Sequence, residues 1–252
     1  MANKKVMLVT GGNSGIGYDT TYALANASPD NHVILSARSS ERGQKALAEL
    51  QARKPRGTIS FLELDVTSDD SINAAAKKLE ADFGRLDVLV NNAGIATSDD
   101  LTRENIYKAL NTNVFGALLL TNAIAPLLRK SQDPRIINVS SSAGSLTIRS
   151  NPEEPTNQVG YSLYRISKAA LNAVTLEQYY FYKGWENVPK IWAYCPGYVV
   201  SNLLGEADRE DRKAQGVESS ETSAVGILEI VDGKRDKEVL GFLGRRGETI
   251  PW

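Results

Sequence analysis

Four apolar residues, Val6-Met7-Leu8-Val9, run directly into Thr10-Gly11-Gly12-Asn13-Ser14-Gly15-Ile16-Gly17, and a helix-like stretch from Tyr18 to Ala27 follows. An unbroken apolar strand is one buried on both faces, as in a parallel sheet. A glycine-rich turn lets the backbone approach a bound pyrophosphate, and the helix N-terminus behind it offers free N–H groups and a positive dipole end. Taken alone, Gly11, Gly15 and Gly17 could make a simple turn. Their place between the first strand and the first helix makes them a nucleotide-binding signal and ties the chain to an α/β sheet.

The rest of the sequence keeps that alternation. A second strand, His32-Val33-Ile34-Leu35-Ser36, leads to Ala37-Arg38-Ser39-Ser40 and Arg42, with no carboxylate at its tip to grip ribose hydroxyls. Guanidinium forks suit a 2′-phosphate, so Arg38 and Arg42 point to NADP rather than NAD. The other reading makes both arginines solvated helix-start residues. His32 is expected to cap or edge its strand, without chemistry.

The third strand, Ile59 to Leu64, ends at Asp65-Val66. Asp65 can accept from an adenine amino group or cap a helix starting near Ser68 or Asp69. A strand from Asp87 to Val90 ends in Asn91-Asn92-Ala93-Gly94, which suits a ligand packed against backbone or a plain tight turn. Asn105 to Ala125 reads as one long helix containing Asn111, Asn113 and Gly116. Amides are poor in helix interiors, so Asn113 suggests a polar task such as holding a water or bending the helix. Arg135 to Val139 forms a fifth strand, followed by Ser140-Ser141-Ser142, and Lys190 to Cys195 a sixth. A last helix is expected over Ser223 to Val231 and a last strand over Val239 to Leu243.

Tyr164 and Lys168 stand four apart at the start of a helical run, one turn above each other on one face. An ammonium there is expected to lower the phenol's pKa and make it an acid–base group for carbonyl chemistry. An isolated Tyr-x-x-x-Lys would be an ordinary amphipathic helix; the other motifs give it weight. His32 and Cys195 are the only histidine and cysteine. That argues against a Ser–His–Asp triad, a multi-histidine metal site and an intrachain disulfide, and no metal is expected. Ser141 therefore suits a hydrogen-bond donor to a substrate oxygen, not a nucleophile. A formal net charge of −1 argues against nucleic-acid or anionic-membrane binding. No signal-peptide core or membrane-spanning segment is expected, and a cytoplasmic location fits.

In order and spacing these motifs resemble the classical short-chain dehydrogenase/reductase family. Thr10, Gly11, Gly15 and Gly17 match its cofactor loop, Asp65-Val66 its adenine-pocket pair, and Asn91 to Gly94 its Asn-Asn-Ala-Gly motif. Asn113 matches its helix asparagine, Asn138-Val139-Ser140-Ser141 its serine strand, and Tyr164 with Lys168 its Tyr-x-x-x-Lys pair. Pro196-Gly197-Tyr198-Val199-Val200-Ser201 is similar to Pro-Gly-x-Val-x-Thr, with Ser201 for the threonine. Residues 9–17 and 35–44 are similar to carbonyl reductases in particular.

The resemblance implies a single-domain Rossmann fold over residues 1–252, a doubly wound parallel sheet of about seven strands flanked by helices. It implies NADPH held by Gly11, Asn13, Ser14, Gly15, Ile16, Gly17, Arg38, Arg42, Asp65, Val66, Asn92, Ala93, Gly94, Tyr164, Lys168, Pro196, Gly197, Val199 and Ser201. It implies a small carbonyl or alcohol substrate and catalysis by Tyr164, Lys168, Ser141 and Asn113, the last through a water linking Lys168 to solvent. Between Ser141 and Tyr164 lie 22 residues, more than is usual in the family, so residues 146–160 read as an insertion loop. In carbonyl reductases a longer insertion obstructs helix–helix assembly, so a monomer or weak dimer is expected. Residues 198–217 read as a substrate lid. The rival readings are a narrow-specificity tailoring reductase of a biosynthetic pathway and a non-catalytic NADPH-binding sensor or scaffold.

Overall fold

The computed structural model describes residues 4–97, 100–158 and 160–252. Seven strands form one sheet: β1 (Lys5–Val9), β2 (Asn31–Ala37), β3 (Thr58–Glu63), β4 (Val88–Asn91), β5 (Arg135–Val139), β6 (Lys190–Cys195) and β7 (Phe242–Gly244). All pairings are parallel and the order is β3-β2-β1-β4-β5-β6-β7. The chain winds outward from β1 to β3, then resumes at β4 on the other side of β1. Connections diverge at that reversal and leave a crevice beyond the carboxyl ends of β1 and β4.

The helices are α1 (Gly15–Ala27), α2 (Ser40–Ala52), α3 (Asp69–Phe83), α4 (Arg103–Leu110), α5 (Gly116–Leu128), α6 (Leu146–Arg149), α7 (Ser162–Tyr182), α8 (Glu206–Ala214) and α9 (Glu221–Val231). Successive strand residues face opposite sides of a sheet. Val6 and Leu8 accordingly join the core with Leu79, Leu120 and Ile124 of α3 and α5. Met7 and Val9 join the opposite core with Leu24, Leu50 and Ile227 of α1, α2 and α9. The unbroken apolar run of β1 thus serves two cores at once. Each fully buried aliphatic side chain contributes about 1.5–3 kcal/mol.

Three expectations about local structure differ from what forms. The long helix is interrupted by a π-helical turn, Asn111–Phe115, between α4 and α5. The side-chain amide of Asn113 there accepts from Ile95 N at 2.8 Å and donates to Ile95 O at 2.9 Å, docking the helix onto the loop after β4. The whole run Arg103–Leu128 is long and apolar enough to cross a membrane by length and composition only, a test that core helices also pass. In this fold Leu120, Ile124, Leu127 and Leu128 are packed in the core instead. The insertion is not all loop: it holds α6 and a 3₁₀ turn, Pro155–Gln158. Asn157 Nδ2 donates to Ile148 O at 2.9 Å and to Asn151 O at 2.8 Å, tying the two together. His32 lies within β2, between the hydroxyls of Thr58 (2.8 Å) and Ser60 (2.9 Å), so it edges nothing.

Candidate active site

The glycine turn is built around contacts no larger residue would allow. Gly11 and Gly15 have φ of +64° and +53°, which costs any residue with a Cβ about 1–2 kcal/mol. A Cβ on Gly17 would lie 2.3 Å from Gly11 O and 2.4 Å from Asn92 Nδ2. Asn92 Nδ2 donates to Thr10 O at 2.8 Å, and Thr10 Oγ1 accepts from Asn92 N and Ala93 N, both at 2.9 Å. Asn92 and Ala93 are therefore a clamp on the turn and, with Gly94, part of the wall beside it. Ser14 does not cap α1 and no acidic residue stands in its first turn. The leading N–H groups of α1 remain ready for an anion, beside Asn13, Ser14 and Ile16.

These residues open onto one cleft of about 600 Å³. Arg38 and Arg42 line it beyond β2, both exposed. Lys45, three residues on from Arg42, joins them; that helical spacing was the signal by which it could have been found. Asp65 and Val66 form the facing wall. The helix α3 is capped by Ser68, whose Oγ accepts from Ser71 N at 3.3 Å, and not by Asp65. Asp65 Oδ1 accepts from Thr67 N and Oγ1 at 2.9 and 2.7 Å, which fixes the carboxylate at the strand end.

A buried polar chain sets α7 against the sheet. Asn91 Nδ2 donates to Asn138 Oδ1 at 2.9 Å, and Asn138 Nδ2 donates to Gln178 Oε1 at 2.8 Å and Thr175 Oγ1 at 3.0 Å. Gly144 lets the turn after β5 press on α7, since a Cβ there would meet Lys168 C at 2.5 Å. Tyr164, Lys168 and Ser141 consequently meet in the same cleft as the glycine turn. Asn113 lies beneath, 1% exposed, with Nδ2 donating to Ser167 Oγ at 2.9 Å. Both Nδ2 protons are used, on Ile95 O and Ser167 Oγ, while Oδ1 accepts from Ile95 N and keeps a lone pair; that oxygen would stand 3.3 Å from a Cβ on Gly94, with Lys168 Nζ at 3.6 Å.

The electrostatics depart from the simple Tyr–Lys expectation. Burial pushes the Tyr164 phenol well above its ordinary value, and Cys195 adds to the rise; hydrogen bonding with Ser141 and the charge of Arg212 oppose it. Lys168 Nζ lies 5.6 Å from the Tyr164 ring centre and donates to Val139 O at 2.8 Å. Desolvation, not the ammonium, governs the phenol. Burial also lowers Lys168 to about 8. The linkage sign follows. Below about pH 8 folded and unfolded chains both hold that proton and the fold bears the full cost of burying it. From about 8 to 10.5 the folded chain releases it first, so this contribution to stability rises with pH. Lys168→Met is expected to stabilise the protein at pH 7 by roughly 1–2 kcal/mol, or about 2–8 °C in Tm, less at pH 10. Thermal melts at the two pH values check it.

Pro196, Gly197, Val199 and Ser201 complete the near wall. Gly197 has φ +75°, and a Cβ on it would meet Arg245 Nε at 2.4 Å. Ser201 lies 8% exposed against Gly15. Arg212 of α8, within the stretch 198–217 and singled out by no motif, also lines the cleft.

The short chain dehydrogenase family profile matches residues 5–212. Short-chain dehydrogenase/reductase tropE of Talaromyces stipitatus is 34% identical over 267 residues, covering 100% of this chain and 99% of that protein. NADPH-bound carbonyl reductase from chicken fatty liver superposes with TM-score 0.82 at 29% identity, covering 99% of this chain and 100% of that one. Carbonyl reductase Sniffer of D. melanogaster gives 0.80 at 26% identity, with full coverage of both. With the parallel seven-stranded sheet and the profile match, this chain belongs to the short-chain dehydrogenase/reductase family of oxidoreductases.

Proposed function

We propose that the protein reduces a ketone or aldehyde to an alcohol with NADPH, reversibly. The observation that carries this reading is the convergence of Tyr164, Ser141 and Lys168 on the cleft that also holds the glycine turn. The fit to a dinucleotide rests on the uncapped start of α1, the absent Cβ of Gly17 and the cations Arg38, Arg42 and Lys45. The nicotinamide cofactor, when bound, supplies the hydride that reaches the carbonyl carbon.

Tyr164 gives its proton to the carbonyl oxygen. A phenol pushed up by burial is fully protonated at neutral pH, as a general acid must be. Ser141 donates a hydrogen bond to the same oxygen and stabilises the charge developing there. Lys168, anchored on Val139 O, holds a positive charge on the tyrosine's side of the cleft. Asn113 keeps the loop after β4 and α7 in register through Ile95 and Ser167. Residues 198–217, with α8, close over the substrate as a lid.

The test is a panel of aldehydes and ketones with NADPH and NADH, followed at the absorbance of the reduced nicotinamide. NADPH consumption with some carbonyls and higher kcat/KM than with NADH is the expected result. Cofactor binding with no turnover of any carbonyl would favour a sensor or scaffold. Arg38→Ala and Arg42→Ala are each expected to weaken NADPH by about 10- to 100-fold, the loss of one charge-assisted contact. NADH binding should change little; calorimetric titration of both cofactors checks this.

A further inference from the structure

The lid helix α8 carries a cluster of surface charges in which one member behaves differently. Lys213 pairs with Glu210 at 2.7 Å on the exposed side. Arg212 is 6% exposed and turns into the cleft that holds Ser141 and Tyr164. The ring of Tyr198 stacks 4.4 Å from its guanidinium carbon, and Nη1 donates to Val199 O at 2.9 Å. Asp208, one turn back, places an oxygen 2.8 Å from Nε. The two form an ion pair, though not in line enough for a hydrogen bond. The two Nη2 protons and one on Nη1 have no partner among the described residues.

A guanidinium carries five donors and cannot lose its charge. The Asp208 ion pair and the Tyr198 ring offset part of the cost of burying that of Arg212, and the Nη2 edge of the fork is left to meet a ligand. Its charge is also felt at the Tyr164 hydroxyl, and the two residues line the same cleft. The planar fork matches a carboxylate with two parallel N–H bonds. We infer that Arg212 is a specificity-determining residue that selects carbonyl substrates bearing a carboxylate near the reacting carbon. This rests on the carbonyl-reductase reading above and narrows its substrate class.

The test compares a keto acid with its methyl ester, both with NADPH, in the full-length wild type and in Arg212→Gln and Arg212→Lys. In the wild type, kcat/KM for the acid is expected to exceed that for the ester by at least tenfold. In Arg212→Gln the acid-to-ester ratio should fall about 50-fold, and in Arg212→Lys only partly, since a lysine keeps the charge but not the fork. Asp208→Asn, which removes the opposing carboxylate and leaves the guanidinium, should raise the ratio. It also keeps the inference testable should Arg212→Gln fail to fold. An unchanged ratio in Arg212→Gln, or equal use of acid and ester by the wild type, overturns the inference and leaves the reductase reading standing. A tenfold rise in the NADPH dissociation constant of Arg212→Gln would assign the fork to a cofactor phosphate and overturn it as well. No turnover of either compound, nor of any in the carbonyl panel, would overturn both.

Discussion

Tyr164→Phe is expected to lower kcat for carbonyl reduction by about 10³-fold, the scale of a lost general acid, while NADPH binds with little change. The substitution removes one oxygen from a ring held by α7 and leaves its packing intact. Ser141 and Lys168 would remain, but neither replaces the proton. Wild-type turnover in Tyr164→Phe would end the acid assignment. The pH dependence is a companion to it. Since kcat/KM reports the free enzyme, reduction should be level through neutrality and decline above about pH 8, as Lys168 loses its proton. Steady-state kinetics from pH 6 to 10, with dissociation constants from fluorescence titration, measure both.

Gly17→Ala is expected to be the most damaging single-methyl change in the glycine turn. The added carbon would sit 2.3 Å from Gly11 O and 2.4 Å from Asn92 Nδ2. The Asn92 amide is committed to Thr10 O, so it cannot yield without releasing the clamp. Overpacking of this kind costs about 1–3 kcal/mol or more, and the turn that would meet the pyrophosphate is the part displaced. NADPH affinity should fall by roughly 100-fold, about 2.7 kcal/mol. Gly84→Ala is the control. Gly84 ends α3 with φ +71° and open space around it, so alanine there should cost about 1 kcal/mol of stability and leave NADPH binding alone. Equal loss of cofactor affinity in the two variants would show that Gly17 matters only through global stability.

Much of this architecture is legible without coordinates. Val6 to Val9 announces a strand with two buried faces, and Met7 and Leu8 indeed enter opposite cores. The glycine turn, the arginines after β2 and the Tyr164–Lys168 spacing are local patterns, fixed by neighbours in the chain. Lys45 was legible in principle, three residues beyond Arg42. The π-turn at Asn113 was legible only as an oddity, an amide where a helix disfavours one. Its form depends on Ile95, 18 residues away in sequence.

What the chain order alone determined is the alternation of strands and helices and the place of each motif at a strand end. Those follow from periodicity and backbone preference, which act over a few residues. What only the folded molecule decided is how the groups affect one another. Lys168 points its amine at Val139 O, and burial raises the Tyr164 phenol and lowers the Lys168 amine, the reverse of what an exposed pair would show for the phenol. Arg212 leaves the charged surface of α8 for the cleft because Tyr198 and Val199 meet it there. Desolvation and charge act through space, over distances the linear order of residues does not encode.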